Sequence, residues 1–320
     1  MSARKLRIGV VMDPIHSIKP VKDSSLAMLL EAERRDADIH YMLQADLKML
    51  AGEALAHSKR LNVRDDERDW FTLGDEREIR LADLDVILMR KDPPFDMEYI
   101  YTSYILERAE DTGALIVNKP QSLRDMNEKA YTAWFPQCAP VTLITRSMRE
   151  MKDFLAEHGR IVVKPLDGMG GKSIFVVSKG DNNANVIFET LTDYGSRFAM
   201  AQVFIPEISD GDKRILLIDG EPIPYALARI PSADDNRGNL VMGAQPQVRP
   251  LTDRDRSICA EVGPILRERG VIFAGLDVIG DYLTEINVTS PTGIREIARL
   301  GDEDLAARLM DALDARMAAR

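Results

Sequence analysis

Short apolar runs and stretches of helical spacing alternate along the first third of the chain. They occupy residues 6–12, 24–35, 39–43, 85–89, 98–112 and 115–118. Strands that alternate with helices predict a parallel sheet, which binds its ligands beyond the carboxyl ends of the strands. We therefore predict an open parallel α/β domain over residues 1–122, with Asp13 and Arg90 at the ligand-binding edge of its sheet.

The pattern after Pro120 predicts an α+β region. A helix is expected at residues 124–135, followed by two short strands on either side of a glycine-rich loop. Further strands are expected from residue 199 onward, with a hairpin turn at Asp219-Gly220. A helix at residues 253–269, two strands within residues 273–288 and a helix from residue 302 complete the prediction.

A long polar segment interrupts the second half of the chain. Residues 230–249 are rich in Asp, Asn and Gly and show little periodicity. Loops of this length within compact domains are usually lids or disordered. We expect residues 230–245 to be mobile when no ligand is bound.

Composition narrows the classes of protein to which the chain can belong. Of its 320 residues 45% are hydrophobic and 29% charged, as is usual for a soluble globular protein of two or three domains. The net charge of −10 argues against general nucleic-acid binding, which needs a basic face. The sequence shows no signal-peptide pattern and no long apolar span, so we expect a cytoplasmic protein without a membrane segment. Cys138 and Cys259 have no metal-ligand spacing and are expected to be buried.

Residues 164–173 read KPLDGMGGKS and end like a P-loop. A P-loop needs a glycine where this chain has Leu166, and it needs a helix afterwards, whereas residues 174–177 are typical of a strand. The pattern instead predicts two strands joined by a glycine loop whose backbone N–H groups close over phosphates. A mobile hairpin without a ligand explains the glycines as well. The glycines of this loop are Gly168, Gly170 and Gly171.

A second group of polar residues lies near the end of the chain. Glu285 and Asn287 are two residues apart on a predicted strand, so their side chains share one face, and Asp277 lies on the strand before. Carboxylate and amide oxygens suit a hard cation such as magnesium. A solvated hairpin face is the alternative, but the flanking residues are strongly apolar.

The proposed shared metal site places a condition on the hairpin. A two-residue turn at Gly280-Asp281 alone would put Asp277 on the opposite face from Glu285 and Asn287, because directly opposed residues share a face. We therefore predict a connection of odd length or an equivalent β-bulge.

Five cations complete the candidate chemistry. Arginine suits phosphate and carboxylate oxygens, and lysine acts as a point charge. Any one of them is more often a surface residue, so their joint presence beside the glycine loop and the acidic residues is what indicates a site. They are Lys129, Lys164, Arg214, Arg229 and Arg237.

Several contiguous stretches resemble the bacterial glutathione synthetases, a family of ATP-grasp ligases. The resemblance covers essentially the whole chain, and the chain differs from the family pattern at Lys172 and Gly293. The specific stretches include VMDPI, DVILMRKDPPFD, LIVNKPQSLRD, VKPLDGMGG, DGDKRILLIDGEP and LTEINVTSPT.

The resemblance implies a fold and a set of roles. It implies an N-terminal α/β substrate-binding domain (residues 1–122), an ATP-grasp lid (123–201) and a C-terminal catalytic part (202–320). Lys129, Lys164 and the glycine loop would contact ATP phosphates, Gln202, Val203, Phe204 and Ile205 would line the adenine pocket, and Asp212 would contact the ribose. Asp277, Glu285 and Asn287 would bind Mg²⁺ or Mn²⁺. Arg214 and Arg229 would be catalytic, and Asp13, Arg90, Arg229 and Arg237 would bind the substrates.

The implied reaction joins γ-glutamylcysteine to glycine with ATP, through an acyl phosphate, in a homotetramer. Two alternatives stay open: another ATP-grasp ligase with a different acid and amine, and a nucleotide-binding regulator without catalysis. The acidic residues and the arginines argue against the regulator, because a protein that only binds nucleotide needs neither set.

Overall fold

The computed structural model describes residues 4–168, 170–230, 245–301 and 303–320. Its strands form three sheets of seven, four and five strands. Among the helices of these ranges, none combines the length and the apolar character that a membrane span needs.

The first sheet has a parallel half that confirms the predicted alternation of strands and helices. Its strands are β1 (Arg7–Met12), β2 (Asp38–Met42), β6 (Val86–Arg90) and β7 (Leu115–Val117), in the order β2-β1-β6-β7. All neighbours in this group are parallel. The helices are α1 (Ser24–Arg34), capped by the Asp23 side chain, and α2 (Met97–Asp111).

An antiparallel extension of this sheet was not predicted. It consists of β3 (Leu47–Leu50), β4 (Glu53–Val63) and β5 (Phe71–Arg80). β4 pairs antiparallel with β2, β3 and β5. Most side chains of β5 are exposed and many are charged. This strand therefore has no alternation of apolar and polar residues by which it could be recognised.

The helix expected at residues 124–135 is wrong in its extent. α3 (Pro120–Asp125) ends early, and a 3₁₀ helix (Ala130–Trp134) follows after a break. In the break, the Asn127 side-chain oxygen accepts hydrogen bonds from the N–H groups of Lys129 (3.2 Å) and Ala130 (2.9 Å). An Asn side chain that takes up backbone donors competes with a helix in this way.

The second sheet forms a separate small unit. Its strands are β8 (Thr142–Thr145), β9 (Arg160–Pro165), β10 (Phe175–Ser178) and β11 (Ala199–Val203), in the antiparallel order β10-β9-β11-β8. α4 (Met148–His158) and α5 (Ala184–Thr192) cover it. Met151, Val163 and Phe188 belong to a hydrophobic cluster made only of residues from this unit.

The third sheet is antiparallel and carries the candidate metal ligands. Its strands are β12 (Asp212–Ile218), β13 (Glu221–Ile230), β14 (Gln245–Pro250), β15 (Phe273–Ile279) and β16 (Tyr282–Asn287), in the order β14-β13-β12-β15-β16. The predicted turn at Asp219-Gly220 is confirmed, since both residues have positive φ. The remaining helices are α6 (Asp253–Glu268), α7 (Ile294–Leu300) and α8 (Leu305–Ala318).

The first and third sheets share their hydrophobic core. One cluster contains Val11 together with Ile215 and Val288, and another contains Ile8 together with Phe273. Both cysteines are buried and unpaired, as predicted. The first and third sheets therefore share a hydrophobic core, whereas the second sheet and its helices have a core of their own.

Candidate active site

A cavity of about 680 Å³ is lined by residues of the second and third sheets and of the first domain's edge. Fifteen of the predicted site residues lie in its wall: Lys129, Lys164, Gly168, Gly170, Gly171, Gln202, Val203, Phe204, Ile205, Asp212, Arg214, Arg229, Asp277, Glu285 and Asn287.

The hairpin of β15 and β16 confirms the predicted register. Its turn has two residues, with Ile279 opposite Tyr282, but a β-bulge follows, so that Asp277 lies opposite Glu285. Gly275 is opposite Asn287 in the same ladder. The three polar side chains therefore lie on one face, towards the cavity.

This arrangement fits a divalent metal ion. Asp277 and Glu285 supply carboxylate oxygens. Asn287 donates its amide N–H to the Gly275 carbonyl at 3.2 Å, so its side-chain oxygen is available as a metal ligand. Hard cations such as Mg²⁺ take oxygen ligands of this kind. The donor set suits such an ion better than a thiolate- or imidazole-binding metal.

Two arginines hold the Asp277 carboxylate in place. Arg214 donates to it through Nε (2.5 Å) and Nη2 (3.0 Å), and Arg229 Nη2 lies 3.0 Å from Asp277 Oδ2. Arg229 also forms a bidentate pair with Asp212. Burial acts to raise the pKa of Asp277, but the two guanidinium groups outweigh it and hold this pKa well below its usual range. Asp277 is therefore an anion at every physiological pH.

At Asp212 the effect of burial on the pKa outweighs the effect of the neighbouring arginine. Burial raises the pKa of its carboxyl to about 6, although Arg229 acts to lower it and the nearby Asp277 acts in the same sense as burial. Both oxygens of Asp212 contact Arg229. A ribose hydroxyl at this point would share the carboxylate with that arginine.

Two buried lysines face the same region. Lys129 Nζ donates to the Gly168 carbonyl at 2.5 Å and lies 3.4 Å from Glu285 Oε1. Lys164 Nζ donates to the Thr284 carbonyl at 3.3 Å. Burial lowers the pKa of Lys164 to about 8, with Glu285 acting in the opposite sense. These cations stand beside the candidate metal ligands, where phosphate groups would need them.

The glycine loop joins β9 to β10 and is followed by a strand, as predicted. Gly170 and Gly171 have φ values of 68° and 75°, which glycine adopts at little cost. The exposed Lys172 of the same loop also contributes to the cavity wall. The loop therefore places backbone groups and an additional cation over the cavity.

The apolar part of the cavity wall follows the end of β11. Gln202 is buried and donates to the Thr142 hydroxyl at 3.0 Å. The guanidinium of Arg160 lies 3.8 Å from the centre of the Phe204 ring. Ile205 and Ile208 also line the cavity. A flat apolar base can lie against such a wall while nearby backbone groups read its edge.

Two predicted substrate-binding residues, Asp13 and Arg90, are not among the described residues that line this cavity. Arg90 is buried and donates to the Ser25 hydroxyl (3.0 Å) and the Pro291 carbonyl (2.9 Å). Asp13 forms an ion pair of 3.0 Å with Lys91. Arg237 and most of the polar segment at 230–245 lie outside the described residues.

The structure adds cavity residues that the sequence reasoning did not assign. For seven of them the only signal was position in the chain, because Glu128 precedes Lys129 and the others follow Arg90 or Asn287 by two to five residues. These seven are Asp92, Pro93, Glu128, Thr289, Ser290, Pro291 and Thr292.

Comparison with known proteins gives matches over nearly the whole chain. The sequence model of the prokaryotic glutathione synthetase N-terminal domain matches residues 6–124, and that of the ATP-grasp domain of the same family matches residues 128–302. Glutathione synthetase of Escherichia coli (strain K12) is 57% identical over 312 residues, which are 98% of this chain and 99% of the relative. Glutathione synthetase of Vibrio cholerae serotype O1 is 56% identical over 314 residues, with the same coverage.

Solved structures show the same fold at lower identity. The crystal structure of D-cycloserine synthetase DcsG covers 97% of this chain and 99% of its own, with a TM-score of 0.68 and 16% identity. The ATP-grasp ligase PsnB, complexed with its precursor peptide and AMPPNP, has a TM-score of 0.61 and 14% identity over 97% of this chain and 98% of its own. The predicted ATP-grasp fold is confirmed. By these matches the chain belongs to the prokaryotic glutathione synthetase family and is an ATP-dependent ligase that makes glutathione.

Proposed function

We propose that the residues lining this cavity catalyse the ligation of γ-glutamylcysteine to glycine in two steps. A carboxylate is a poor acyl donor, so the cysteinyl carboxylate first attacks the γ-phosphorus of ATP, and ADP leaves. The glycine amine then attacks the carbonyl carbon of the acyl phosphate, loses a proton, and phosphate leaves. The observation that carries the proposal is the bulged hairpin, which presents three oxygen donors beside two lysines and two arginines.

The nucleotide would occupy the side of the cavity formed by β9, β10 and β11. Lys129, Lys164 and the N–H groups of the glycine loop would bind the phosphates, the segment 202–205 would hold the adenine, and Asp212 would contact the ribose. Two buried ammonium groups face one cavity and have Glu285 as a shared neighbouring carboxylate. They support this orientation, because phosphate anions would offset the remaining buried positive charge.

Asp277, Glu285 and Asn287 would hold Mg²⁺, with Mn²⁺ as the alternative ion. When bound, such an ion neutralises phosphate charge and orients the transferred group. The chain's own part is to fix the ligands: Arg214 and Arg229 clamp Asp277, so its carboxylate keeps one orientation. Fixed donors of this kind cost little reorganisation during the reaction.

Arg214 and Arg229 would also stabilise the charge on the transferred phosphoryl group. Both line the cavity, and within the described residues each has its strongest contacts with carboxylates. An incoming phosphate or substrate carboxylate would share these guanidinium donors, as arginine's several N–H groups allow. The acyl phosphate needs protection from water, and we predict that closure of the segment at 230–245, including Arg237, supplies it.

The direct test is an assay of ADP release and of the ligated product. Purified protein with ATP and Mg²⁺ should release ADP in the presence of γ-glutamylcysteine and glycine together, with glutathione formed in equal amount. Faster turnover with a different acid and amine would favour another ATP-grasp ligase. Nucleotide binding without turnover on any pair would favour the regulator and contradict the proposal.

The homotetramer stays a prediction from the family resemblance, and the cytoplasmic location stays a prediction from the sequence pattern. A homotetramer would have about four times the mass of the 35.9 kDa chain when it is measured by light scattering. A cytoplasmic location would be tested by fractionation of cells that express the full chain.

A further inference from the structure

Glu128 holds the chain segment that follows β16, residues 288–292. Its Oε1 atom accepts hydrogen bonds from the N–H groups of Val288 and Thr289, both at 3.0 Å, and from the Thr289 hydroxyl at 2.7 Å. Its backbone carbonyl accepts a further bond of 2.8 Å from the Ile286 N–H. One carboxylate oxygen therefore satisfies all three donors at the point where the chain leaves the sheet.

The 288–292 segment forms part of the cavity wall. Its residues 289–292 line the cavity, as does Glu128 itself. On its other side, the Pro291 carbonyl accepts from Arg90 at 2.9 Å, and the Thr292 carbonyl accepts from Arg214 Nη1 at 3.4 Å. The segment thus lies between Arg214, the proposed catalytic arginine, and Arg90 of the first domain, which is predicted to bind substrate.

The surroundings of Glu128 differ from those of the other acidic groups of β12, β15 and β16 in the cavity. Each of those groups has a cation within 4 Å: Asp212 with Arg229, Asp277 with Arg214, and Glu285 with Lys129. Among the described residues no cation lies at ion-pair distance from Glu128, whose Oε1 contacts N–H and O–H groups instead. The Glu128 carboxyl group therefore acts on the conformation of the 288–292 segment rather than on a neighbouring cation.

We propose that Glu128 is a positioning residue that fixes the 288–292 segment as the surface on which the acyl donor of the reaction, γ-glutamylcysteine, is held. The inference rests on the proposed function. Three hydrogen bonds to one buried oxygen select a single conformation of the segment, because each buried donor would be costly to leave without a partner. Without them the segment keeps its length but loses its fixed position, and the dipeptide must order it on binding.

The test separates dipeptide binding from nucleotide binding. In Glu128→Ala the KM for γ-glutamylcysteine should rise at least about ten-fold, because a fixed binding surface is lost. The Kd for a non-hydrolysable ATP analogue, measured by calorimetry, should stay within about two-fold of the wild type. Glu128→Gln keeps an acceptor oxygen at the same reach and should restore the dipeptide KM to within about three-fold.

A second variant covers the case in which Glu128→Ala does not fold. Thr289→Val removes only the hydroxyl donor and should raise the dipeptide KM about three-fold. Thr190→Val is the matched control, since the Thr190 hydroxyl donates to Val186 on α5, remote from the 288–292 segment. The double variant Glu128→Ala, Thr289→Val should raise the dipeptide KM no further than Glu128→Ala alone, because both changes remove the same interaction.

Each outcome decides the inference. An equal loss of ATP-analogue affinity, a dipeptide KM unchanged in both Glu128→Ala and Thr289→Val, or additive effects in the double variant would overturn it. The proposed function fails separately, if the wild-type chain makes no glutathione. An active wild type with an unaffected Glu128→Ala refutes the inference alone.

Discussion

The ionisable groups of the cavity differ in how burial and neighbouring charges set their pKa. Asp277 is kept anionic by two guanidinium groups, whereas burial lowers the pKa of Lys164 to about 8. Perturbed groups of opposite sign in one cavity are typical of a functional site. Sequence reasoning identified both residues, but it could not show that Asp277 is shared between Arg214 and Arg229, because that contact joins strands far apart in the chain.

The low pKa of Lys164 predicts a pH dependence of nucleotide binding. Its ordinary pKa is about 10.4, so between pH 8 and that value the folded chain holds less of this proton than the unfolded chain, and this group makes the folded state more stable as pH rises. Phosphate binding depends on the charged form. The affinity for an ATP analogue should therefore fall roughly three- to ten-fold from pH 7.5 to 9.5. Calorimetry measures it.

Lys164→Arg is the control for this titration. A guanidinium stays charged throughout that range, so the pH-dependent part of the affinity should disappear in the variant. The same slope in wild type and variant would assign the titration to a different group.

Glu285 is expected to be essential for turnover without being essential for the fold. Its side chain is partly exposed to the cavity, and its partner across the hairpin is Asp277. Glu285→Gln keeps the shape but removes a charged metal ligand, so kcat should fall at least about 100-fold. Binding of Mn²⁺, followed by electron paramagnetic resonance, should weaken in parallel.

The melting temperature of Glu285→Gln should stay close to that of the wild type. Glu157→Gln, on the exposed face of α4, is the matched control and should change neither turnover nor metal binding. A Glu285→Gln protein that binds Mn²⁺ and turns over normally would remove Glu285 from the metal site.

At the scale of elements, the predictions succeeded where one pattern dominated the sequence. The parallel strands are continuous apolar runs, and their assignments need only local information. β5 was missed because most of its side chains are exposed and many are charged. β4 buries six of its eleven residues, but the polar run His57-Ser58-Lys59-Arg60 interrupts its apolar positions. The β-bulge of the β15–β16 hairpin was predicted only as the alternative to a connection of odd length. The local sequence favours a two-residue turn and does not show where a bulge would follow it.

The close contact between β12 and β15 predicts the effect of a single methyl group. A Cβ on Gly275 would lie 2.7 Å from Arg214 Cδ and 3.1 Å from Pro291 Cβ. Gly275→Ala should therefore displace the Arg214 side chain from Asp277 and lower kcat at least about ten-fold, because a fixed guanidinium contributes to transition-state stabilisation. ADP release under saturating substrates measures it.

Gly74→Ala provides the comparison on an exposed strand. A Cβ there would meet Arg60 Cβ at 3.3 Å on the surface of the β4–β5 ribbon, and turnover should not change. Wild-type turnover in Gly275→Ala would show that Arg214 can move without loss of activity.

At the scale of the whole molecule, two sheets distant in sequence share one core. The clusters that combine Val11 with Ile215, and Ile8 with Phe273, join the first sheet to the third. The sequence could not reveal this, because each run of apolar residues is equally consistent with a core of its own. The proposed division at residues 122 and 201 therefore stays a prediction about organisation, while the packing joins its first and last parts.

The Asn118 side chain connects the first sheet to the third by hydrogen bonds, and we expect its removal to destabilise the fold. Its side-chain amide donates to the carbonyls of Phe273 and Val288, both at 2.7 Å, and its oxygen accepts from the N–H groups of Ile272 (2.8 Å) and Phe273 (2.9 Å). The residue is buried, so Asn118→Ala would leave four backbone groups without partners. The free energy of unfolding should fall by about 3 kcal/mol or more, since each unsatisfied buried group carries a desolvation cost.

Urea unfolding of the Asn118→Ala protein tests both the link and the shared core. Because the two sheets unfold together, the transition that contains them should move to lower urea with its slope unchanged. Asn62→Ala is the control, since the exposed Asn62 side chain donates one hydrogen bond, to Glu33, and its loss should cost less than about 0.5 kcal/mol. If Asn118→Ala instead splits the transition, with the first sheet unfolding at lower urea than the third, then the apolar clusters alone do not join the two sheets, and Asn118 is what makes them one cooperative unit.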